Sequence, residues 1–214
     1  MAVIRPFECV RPQAEKAERV AALPYDVYNR EEACREVARE PLSFLKIDRA
    51  ETQFDSSVDT YAPEVYAKAK ELLENAIADG TFIKDSEQAY YIYELTMDGR
   101  VQTGLVACAS IDDYESNVIK KHENTRADKE LDRITHVDTC NAQTGPIFLA
   151  YRANAVINGE IDKAKKNSSL YNFVSPDGVR HQVWKISEPQ SVKAIRGAFE
   201  GISSIYIADG HHRA

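Results

Sequence analysis

The fold of this chain is decided by residues 89–111, which read AYYIYELTMDGRVQTGLVACASI. The part from Ala89 to Thr96 is rich in Tyr and Ile, and apolar residues alternate with other residues from Val101 to Ile111, as in strands with one buried face. Asp98-Gly99 lies between them and is typical of a two-residue hairpin turn. These residues predict an antiparallel hairpin, so the sheet that contains it is mixed rather than purely parallel.

Helical patterns flank this hairpin. Apolar residues recur at helical spacing from Pro63 to Asp79, and Gly80 follows at the position where helices commonly end on glycine. Asn29 with Glu32 three residues later predicts a helix start closed by a capping box, and residues 43–47 have the pattern of a strand. Strands and helices interleave without a repeat, which predicts an α/β fold (mixed α+β) with a mixed sheet and flanking helices.

A further helix is predicted from about residue 127 to residue 139, with Leu131 and Ile134 facing inward. Thr125 and Asp128 have the spacing of a capping box at its start. No stretch of the chain has the composition of a linker, so the sequence does not resolve an internal domain boundary.

The charge and cysteine content limit the class of protein. Asp and Glu outnumber Lys and Arg by 34 to 27, giving a net charge of −7, which disfavours nucleic acid as a partner. No apolar run is long enough to cross a bilayer, so no membrane partner is expected. The four cysteines form no C-x-x-C pair, which indicates free thiols and a cytoplasmic protein. The sequence leaves a homo-oligomer open.

The strongest candidate for chemistry is Asp209-Gly210-His211-His212-Arg213, which follows an apolar strand pattern. Glycine permits a sharp turn and close approach of a ligand to the backbone, and the His and Arg side chains supply donors for a phosphate. Asp209 could hold a metal ion or accept a proton from a hydroxyl. An Asp-Gly turn followed by solvated residues is the structural alternative, which two adjacent histidines disfavour.

A second cluster, His122-Glu123-Asn124, offers acid–base, metal-ligand and amide groups just before the helix predicted from residue 127. A helix start also favours anions, so capping and ligand binding are compatible there. Arg126, Glu130 and Arg133 follow at the spacing of one helical face. For Arg133, a ligand contact and a solvated ion pair are equally good interpretations.

A third candidate is the turn that contains Tyr25 and Asp26, where Tyr would supply a stacking face and a hydroxyl at a pocket edge. A structural loop explains this turn equally well. His136 and His181 stand alone, and we interpret each as a packing or surface histidine. The chain has no P-loop, no G-x-G-x-x-G, no G-x-S-x-G and no protein-kinase motif set, which excludes the enzyme classes built on them.

Six segments together resemble the DUF1015 family, a bacterial and archaeal group. These segments are Leu23-Pro24-Tyr25-Asp26-Val27, Pro41-Leu42-Ser43-Phe44-Leu45, Gly104-Leu105-Val106-Ala107, His122-Glu123-Asn124-Thr125, Asp132-Arg133 and Asp209-Gly210-His211-His212-Arg213. Family members are longer, so the resemblance implies that residues 1–214 are the N-terminal part of such a protein. The C-terminal part, and the helix expected after the last motif, would then be absent.

The resemblance also implies an activity, because some members of the family are described as ATP-dependent kinases of free L-serine. The D-G-H-H-R segment is similar to the phosphate-binding motif of serine kinases with a ParB/sulfiredoxin-like fold, which implies ParB/sulfiredoxin-like features here. The expected partners are therefore a nucleotide and a small-molecule substrate, with ATP and Mg²⁺ as cofactors and phosphoserine as the product.

Roles follow for the candidate residues under this kinase hypothesis. Asp209, Glu123 and His122 are expected to be catalytic, and Asp209 and Glu123 also to be ligands of Mg²⁺. The phosphates of the nucleotide are expected to contact Gly210, His211, His212, Arg213, Asn124 and Arg133. The substrate is expected beside Tyr25 and Asp26.

Two alternatives remain open from the sequence. The first is a non-catalytic regulator that binds a nucleotide or phosphate on the same scaffold. The second is a metal-dependent hydrolase that uses His122, Glu123, Asp209, His211 and His212 around a tightly bound ion such as Zn²⁺. Adjacent histidines rarely provide two ligands to one ion in good geometry, which disfavours the hydrolase.

Overall fold

The computed structural model describes residues 1–214 and combines eight α-helices with eleven strands. The helices are α1 (Ala17–Val20), α2 (Arg30–Arg39), α3 (Leu45–Asp48), α4 (Pro63–Ala78), α5 (Ile111–Glu115), α6 (Ala127–Cys140), α7 (Ala155–Ala164) and α8 (Pro189–Glu200). The strands are β1 (Ile4–Arg5), β2 (Val10–Pro12), β3 (Phe82–Lys84), β4 (Tyr90–Met97), β5 (Arg100–Val106), β6 (Cys108–Ala109), β7 (Ile119–Lys120), β8 (Phe148–Ala150), β9 (Tyr171–Val174), β10 (Arg180–Ile186) and β11 (Ile205–Asp209).

The strands form four small sheets. The largest has the order β5-β4-β10-β9 and is antiparallel throughout. A three-stranded sheet, β7-β11-β8, pairs β11 parallel to β7 and antiparallel to β8. β1 pairs with β6, and β2 with β3. The predicted mixed α/β fold class is thus confirmed. The sheet that contains the hairpin, however, was expected to be mixed and is purely antiparallel; the mixed pairing is found in the three-stranded sheet.

The predicted hairpin is present as β4 and β5. Asp98 and Gly99 have φ values of 50° and 78°, which is the left-handed conformation that the two central positions of this turn require. The backbone pairs from Tyr91 with Val106 to Met97 with Arg100. The turn signal was sufficient to predict the hairpin, whereas the alternation in β5 does not mark a buried face, because Val101 is exposed.

The chain divides into two compact units, each assembled from separate stretches of sequence. Unit 1 comprises Met1–Val10, Lys84–Asn124 and Phe148–His211, and unit 2 comprises Arg11–Ile83, Thr125–Ile147 and His212–Ala214. The passages from one unit to the other lie in strands, in loops and, between His211 and His212, in a short 3-10 helix, and no linker composition marks them.

Unit 2 is mainly helical, and its core forms between α3, α4 and α6. The buried residues of this core are Val20, Ile47, Ala50, Val65, Ala69, Leu73, Ala76, Phe82 and Cys140. The helix predicted from residue 63 supplies four of them, at the spacing of a single helical face. The capping box before α2 is also confirmed, because Asn29 Oδ1 accepts from the Glu32 N–H and the Glu32 carboxylate accepts from the Asn29 N–H.

The strand predicted at residues 43–47 is wrong, because this segment is a turn followed by helix α3. Ser43, Leu45 and Ile47 are all buried, so burial does alternate as it would in a strand. The backbone nevertheless turns, with the Ile47 N–H donating to the Phe44 carbonyl at 2.9 Å. Alternating burial alone cannot distinguish a short helix in a core from a buried strand.

The predicted orientation of α6 is also wrong. Leu131 and Ile134 are 65% and 57% exposed, whereas Asp132, Arg133 and His136 are buried. Polar side chains occupy the inward face of this helix, and the apolar side chains of Leu131 and Ile134 are on its exposed face. The predicted capping box fails as well, since the Thr125 hydroxyl donates to the Glu130 carboxylate at 2.7 Å instead of capping the helix.

In unit 1, α7 packs against α8, and α7 also contacts β10. Ile157 of α7, Ile195 of α8, and Tyr90 and Ile92 of β4 are fully buried, which defines the core of this unit. None of the helices in the chain is both long and apolar enough to cross a membrane.

Candidate functional site

In unit 1, the three-stranded sheet positions one cluster of predicted site residues. β7 and β11 are parallel, with Ile205 paired to Ile119 and Tyr206 to Lys120, so the residues that follow the two strands meet at the same edge of the sheet. His122 and Glu123 follow β7, and His211 follows β11. Gly210 precedes His211 with φ 86°, a conformation that strains any residue with a Cβ, so this glycine fixes the turn.

The three side chains form a continuous hydrogen-bonded chain. His211 Nδ1 lies 2.9 Å from Glu123 Oε1, and His211 Nε2 lies 3.1 Å from His122 Nδ1. His122 Nδ1 is also 3.1 Å from the Ile207 carbonyl oxygen, which can only accept, so the proton of a neutral His122 lies on Nδ1. His211 then accepts at Nε2 and donates from Nδ1 to the carboxylate. His211 is buried, whereas His122 and Glu123 are exposed.

This cluster supports two kinds of chemistry, proton transfer along the chain and metal binding. One potential ligand atom from each of His122, Glu123 and His211 lies within 4.8 Å of the others. Asp209, the other predicted metal ligand, is not in this group and ends β11 as an exposed residue. Asn124, predicted to contact the nucleotide, is exposed.

In unit 2, a pocket of about 330 Å³ contains four residues that the sequence analysis proposed from three separate motifs. They are Tyr25 and Asp26 from the first turn, Arg133 from α6, and His212 from the final motif. The volume is at the lower end of the range for small-molecule sites, which suits a metabolite of amino-acid size.

Arg133 is held in this pocket by its neighbours. Its Nη2 and Nε donate to Asp132 Oδ2 at 2.9 and 3.1 Å, and the Tyr66 hydroxyl donates to Asp132 Oδ1 at 2.9 Å. The guanidinium carbon lies 4.2 Å from the centre of the Tyr25 ring. Burial raises the pKa of Tyr25 and of Tyr66, so both hydroxyls stay protonated. The arrangement fixes a planar cation against an aromatic face.

Sequence reasoning missed two residues of this pocket, His136 and Asp48. His136 is 3% exposed, and its Nε2–H donates to the Ile47 carbonyl at 3.1 Å. The neutral ring therefore accepts at Nδ1, which is buried and has no hydrogen-bond partner. Asp48 accepts from the Thr144 hydroxyl at 2.9 Å, and burial raises the pKa of its carboxyl. The signal in the sequence was the position of His136 on the same helical face as Asp132 and Arg133.

His212 lines the pocket and also has a buried Nδ1 without a partner. Lys129 contributes a further cation, whose ammonium donates to the Tyr61 hydroxyl at 3.1 Å, and this bond raises the pKa of Lys129. Arg213 is half-buried beside Gly145, where an added Cβ would lie 3.0 Å from Arg213 Cδ, and it does not line the pocket. The final motif therefore divides, with Asp209, Gly210 and His211 in unit 1 and His212 and Arg213 in unit 2.

Comparison with known proteins gives a family but no named relative. No curated protein and no solved structure matches the chain. The family model described as "Protein of unknown function (DUF1015)" matches residues 4–214, which include both groups of side chains. The resemblance carried by the six sequence segments is thereby confirmed, and the chain belongs to the DUF1015 family.

Proposed function

We propose that this protein is a small-molecule kinase that transfers the terminal phosphoryl group of ATP to the hydroxyl of free L-serine. One observation carries the proposal. Tyr25, Asp26, Arg133 and His212, predicted from three distant motifs to bind substrate or phosphate, line a single pocket of amino-acid size. A concave pocket in which a few polar groups converge is the first candidate for a ligand site in a structure.

The charges in the pocket suit a molecule with both an ammonium group and a phosphate. Lys129, Arg133 and His212 offer cationic or N–H donors, which are the groups that bind phosphate oxygens. Asp48 and His136 line the same pocket and carry groups that can accept hydrogen bonds. Serine supplies matching donors through its ammonium group and hydroxyl.

The reaction conserves atoms and charge in a simple way. The serine hydroxyl oxygen bonds to the terminal phosphorus, the bond from that phosphorus to ADP breaks, and the hydroxyl proton passes to a carboxylate of the pocket. We assign this proton to Asp48, because burial raises the pKa of that carboxyl. Asp209, Glu123 and His122, predicted to be catalytic, are not among the residues that line this pocket, and the transfer proposed here uses the pocket's own residues.

Mg²⁺ is implied by this chemistry, but the predicted ligands do not form a magnesium site. Mg²⁺ requires oxygen ligands in an octahedral arrangement. The group around Glu123 supplies one carboxylate and two imidazoles, and Asp209 is not part of it. No step of the transfer is therefore assigned to an ion held by these residues. We place the reaction in the cytoplasm, a compartment that suits the four free cysteines.

The test is an incubation of the protein with L-serine, ATP and Mg²⁺, in which phosphoserine is measured by phosphorus NMR and ADP by chromatography. We expect Lys129→Met to lower kcat/KM about 10- to 100-fold, the loss of one charge-assisted contact. Lys70→Met removes an exposed lysine of α4 outside the pocket and should leave the rate unchanged. Absence of phosphoserine, or equal rates for the two variants, would refute the proposal.

Substrate analogues test the arrangement inside the pocket. 3-Hydroxypropionate keeps the hydroxyl and the carboxylate of serine but lacks the ammonium group, so it should bind at least about tenfold more weakly. Calorimetry with serine and ATP separates the kinase from the regulator alternative, because a regulator would bind its ligands without forming ADP.

A further inference from the structure

The cluster in unit 1 supports an inference that is independent of the proposed kinase activity. We propose that His122, Glu123 and His211 form a binding site for a divalent transition-metal ion of the zinc type. The three residues come from two parallel strand ends and offer two imidazoles and one carboxylate within 4.8 Å. Histidine ligands, one of them hydrogen-bonded through its second ring nitrogen to a carboxylate, are typical of zinc sites in proteins.

The chemistry of the donors selects the class of ion. Imidazole nitrogen is a good ligand for Zn²⁺, Cu²⁺, Fe²⁺ and Ni²⁺, whereas Mg²⁺ and Ca²⁺ take oxygen ligands. With two imidazole nitrogens as ligands and the Glu123 carboxylate hydrogen-bonded to one of the rings, the cluster suits the first group. The ion that these residues select therefore differs from the ion that accompanies ATP.

The spacing of the two imidazoles also suits one ion. His122 Nδ1 and His211 Nε2 are 3.1 Å apart. Two ligands on a tetrahedral zinc with bonds of 2.0–2.1 Å are separated by about 3.3 Å. Binding requires that His122 move its proton from Nδ1 to Nε2, a tautomer change that its exposed ring permits, after which both facing nitrogens present lone pairs.

Glu123 fixes the orientation of the buried ligand. Its Oε1 accepts from His211 Nδ1 at 2.9 Å, so the His211 ring already has the hydrogen bond that metal-bound histidines normally make through their second nitrogen. Because His122 and Glu123 are exposed, an ion can reach the cluster without opening the core. A buried, oriented imidazole beside two accessible groups is well suited to metal capture.

The experiment is calorimetric titration of the full chain, first freed of metal with a chelator, with Zn²⁺ and separately with Mg²⁺. We expect one zinc ion per chain and no comparable uptake of Mg²⁺. His122→Ala and Glu123→Gln change exposed side chains, and each should weaken zinc binding by about 10- to 100-fold. His181→Ala and Glu115→Gln remove an imidazole and a carboxylate of unit 1 outside the cluster, and both should bind zinc like the unchanged protein.

Each outcome of this titration either supports or overturns the proposed zinc site. Zinc binding that is unaffected by His122→Ala and Glu123→Gln, or zinc uptake no stronger than that of Mg²⁺, overturns the proposal. Circular dichroism of each variant verifies that the fold is retained, so a loss of binding cannot arise from unfolding. Because no ATP or serine is present, failure of this test leaves the kinase proposal intact, and failure of the kinase assay leaves the metal site intact.

Discussion

Replacing Asp132 by Asn tests whether Arg133 is held in its pocket by charge rather than by shape. Asp132 and Arg133 are 7% and 8% exposed, and both carboxylate oxygens are occupied, one by Arg133 and one by the Tyr66 hydroxyl. In Asp132→Asn, the amide oxygen can still accept from Tyr66, but the amide NH₂ is a donor that faces the guanidinium. The variant therefore leaves a buried cation without its counter-charge.

The expected cost of this variant follows from that geometry. Removing one partner of a buried ion pair destabilises a protein by about 3–5 kcal/mol. Tyr66→Phe removes only a hydrogen bond to the same carboxylate, worth about 1.5–3 kcal/mol. Asp138→Asn, an exposed position on the same helix, should change the unfolding free energy by less than about 0.5 kcal/mol. We therefore predict that the loss in unfolding free energy is largest for Asp132→Asn, smaller for Tyr66→Phe and smallest for Asp138→Asn.

Urea unfolding measured with two probes gives these values. Most helical residues belong to unit 2, so circular dichroism at the helix band reports mainly on that unit, whereas the single tryptophan, Trp184, lies in unit 1. We expect the largest shift in the dichroism transition of Asp132→Asn. If Asp132→Asn costs no more than Tyr66→Phe, the pair is not a buried charge interaction and this explanation of Arg133 fails.

Three further predictions concern local structure. Hydrogen bonds from the Gln190 N–H and from Ser191 at the start of α8 lower the pKa of Glu188 from 4.5 to about 2. The ionised cap therefore stabilises the fold above pH 4.5, and this stabilisation is lost as the pH falls towards 2. Glu188→Gln should remove this part of the pH dependence, so the unfolding free energy of the variant should fall less steeply between pH 4.5 and pH 2. Gly159→Ala should stabilise the protein by about 1 kcal/mol in thermal unfolding, because an added Cβ meets no atom within 4 Å in the interior of α7. Gly99→Ala should instead destabilise it by about 1 kcal/mol in the same measurement, because the φ of Gly99 is +78° and a Cβ is strained there.

The elements that the sequence predicted correctly are those decided by neighbouring residues. Asp98-Gly99 determines a turn and Asn29 with Glu32 closes a capping box, whatever the remainder of the chain does. The errors arose where tertiary contacts decide. In α6, the apolar Leu131 and Ile134 are exposed because the inward face carries polar residues that line a pocket, and a rule that places apolar residues inside cannot anticipate this.

For the candidate site too, the sequence indicated which residues could carry chemistry but not which of them lie together. Residue types and motif spacing identified His122, Glu123 and His211 as candidates, but only the parallel pairing of β7 with β11 shows that they meet. His136 was missed because we interpreted a lone histidine as a packing or surface residue, although it lies on the same helical face as Asp132 and Arg133. Its importance lies in one nitrogen that the Ile47 carbonyl leaves as a buried acceptor.

The two adjacent histidines of the final motif show why a motif should not be treated as one site. His211 lies in the hydrogen-bonded cluster of unit 1, and His212 lines the pocket of unit 2. A variant that replaces both would perturb two different groups of side chains, so the resulting loss of activity could not be assigned to either. Single substitutions separate them, because zinc binding depends on His211 in our proposals and serine phosphorylation depends on His212. Adjacent histidines make poor ligands for one ion, but this objection does not apply here. We propose that His211 binds a metal ion and that His212 binds a phosphate.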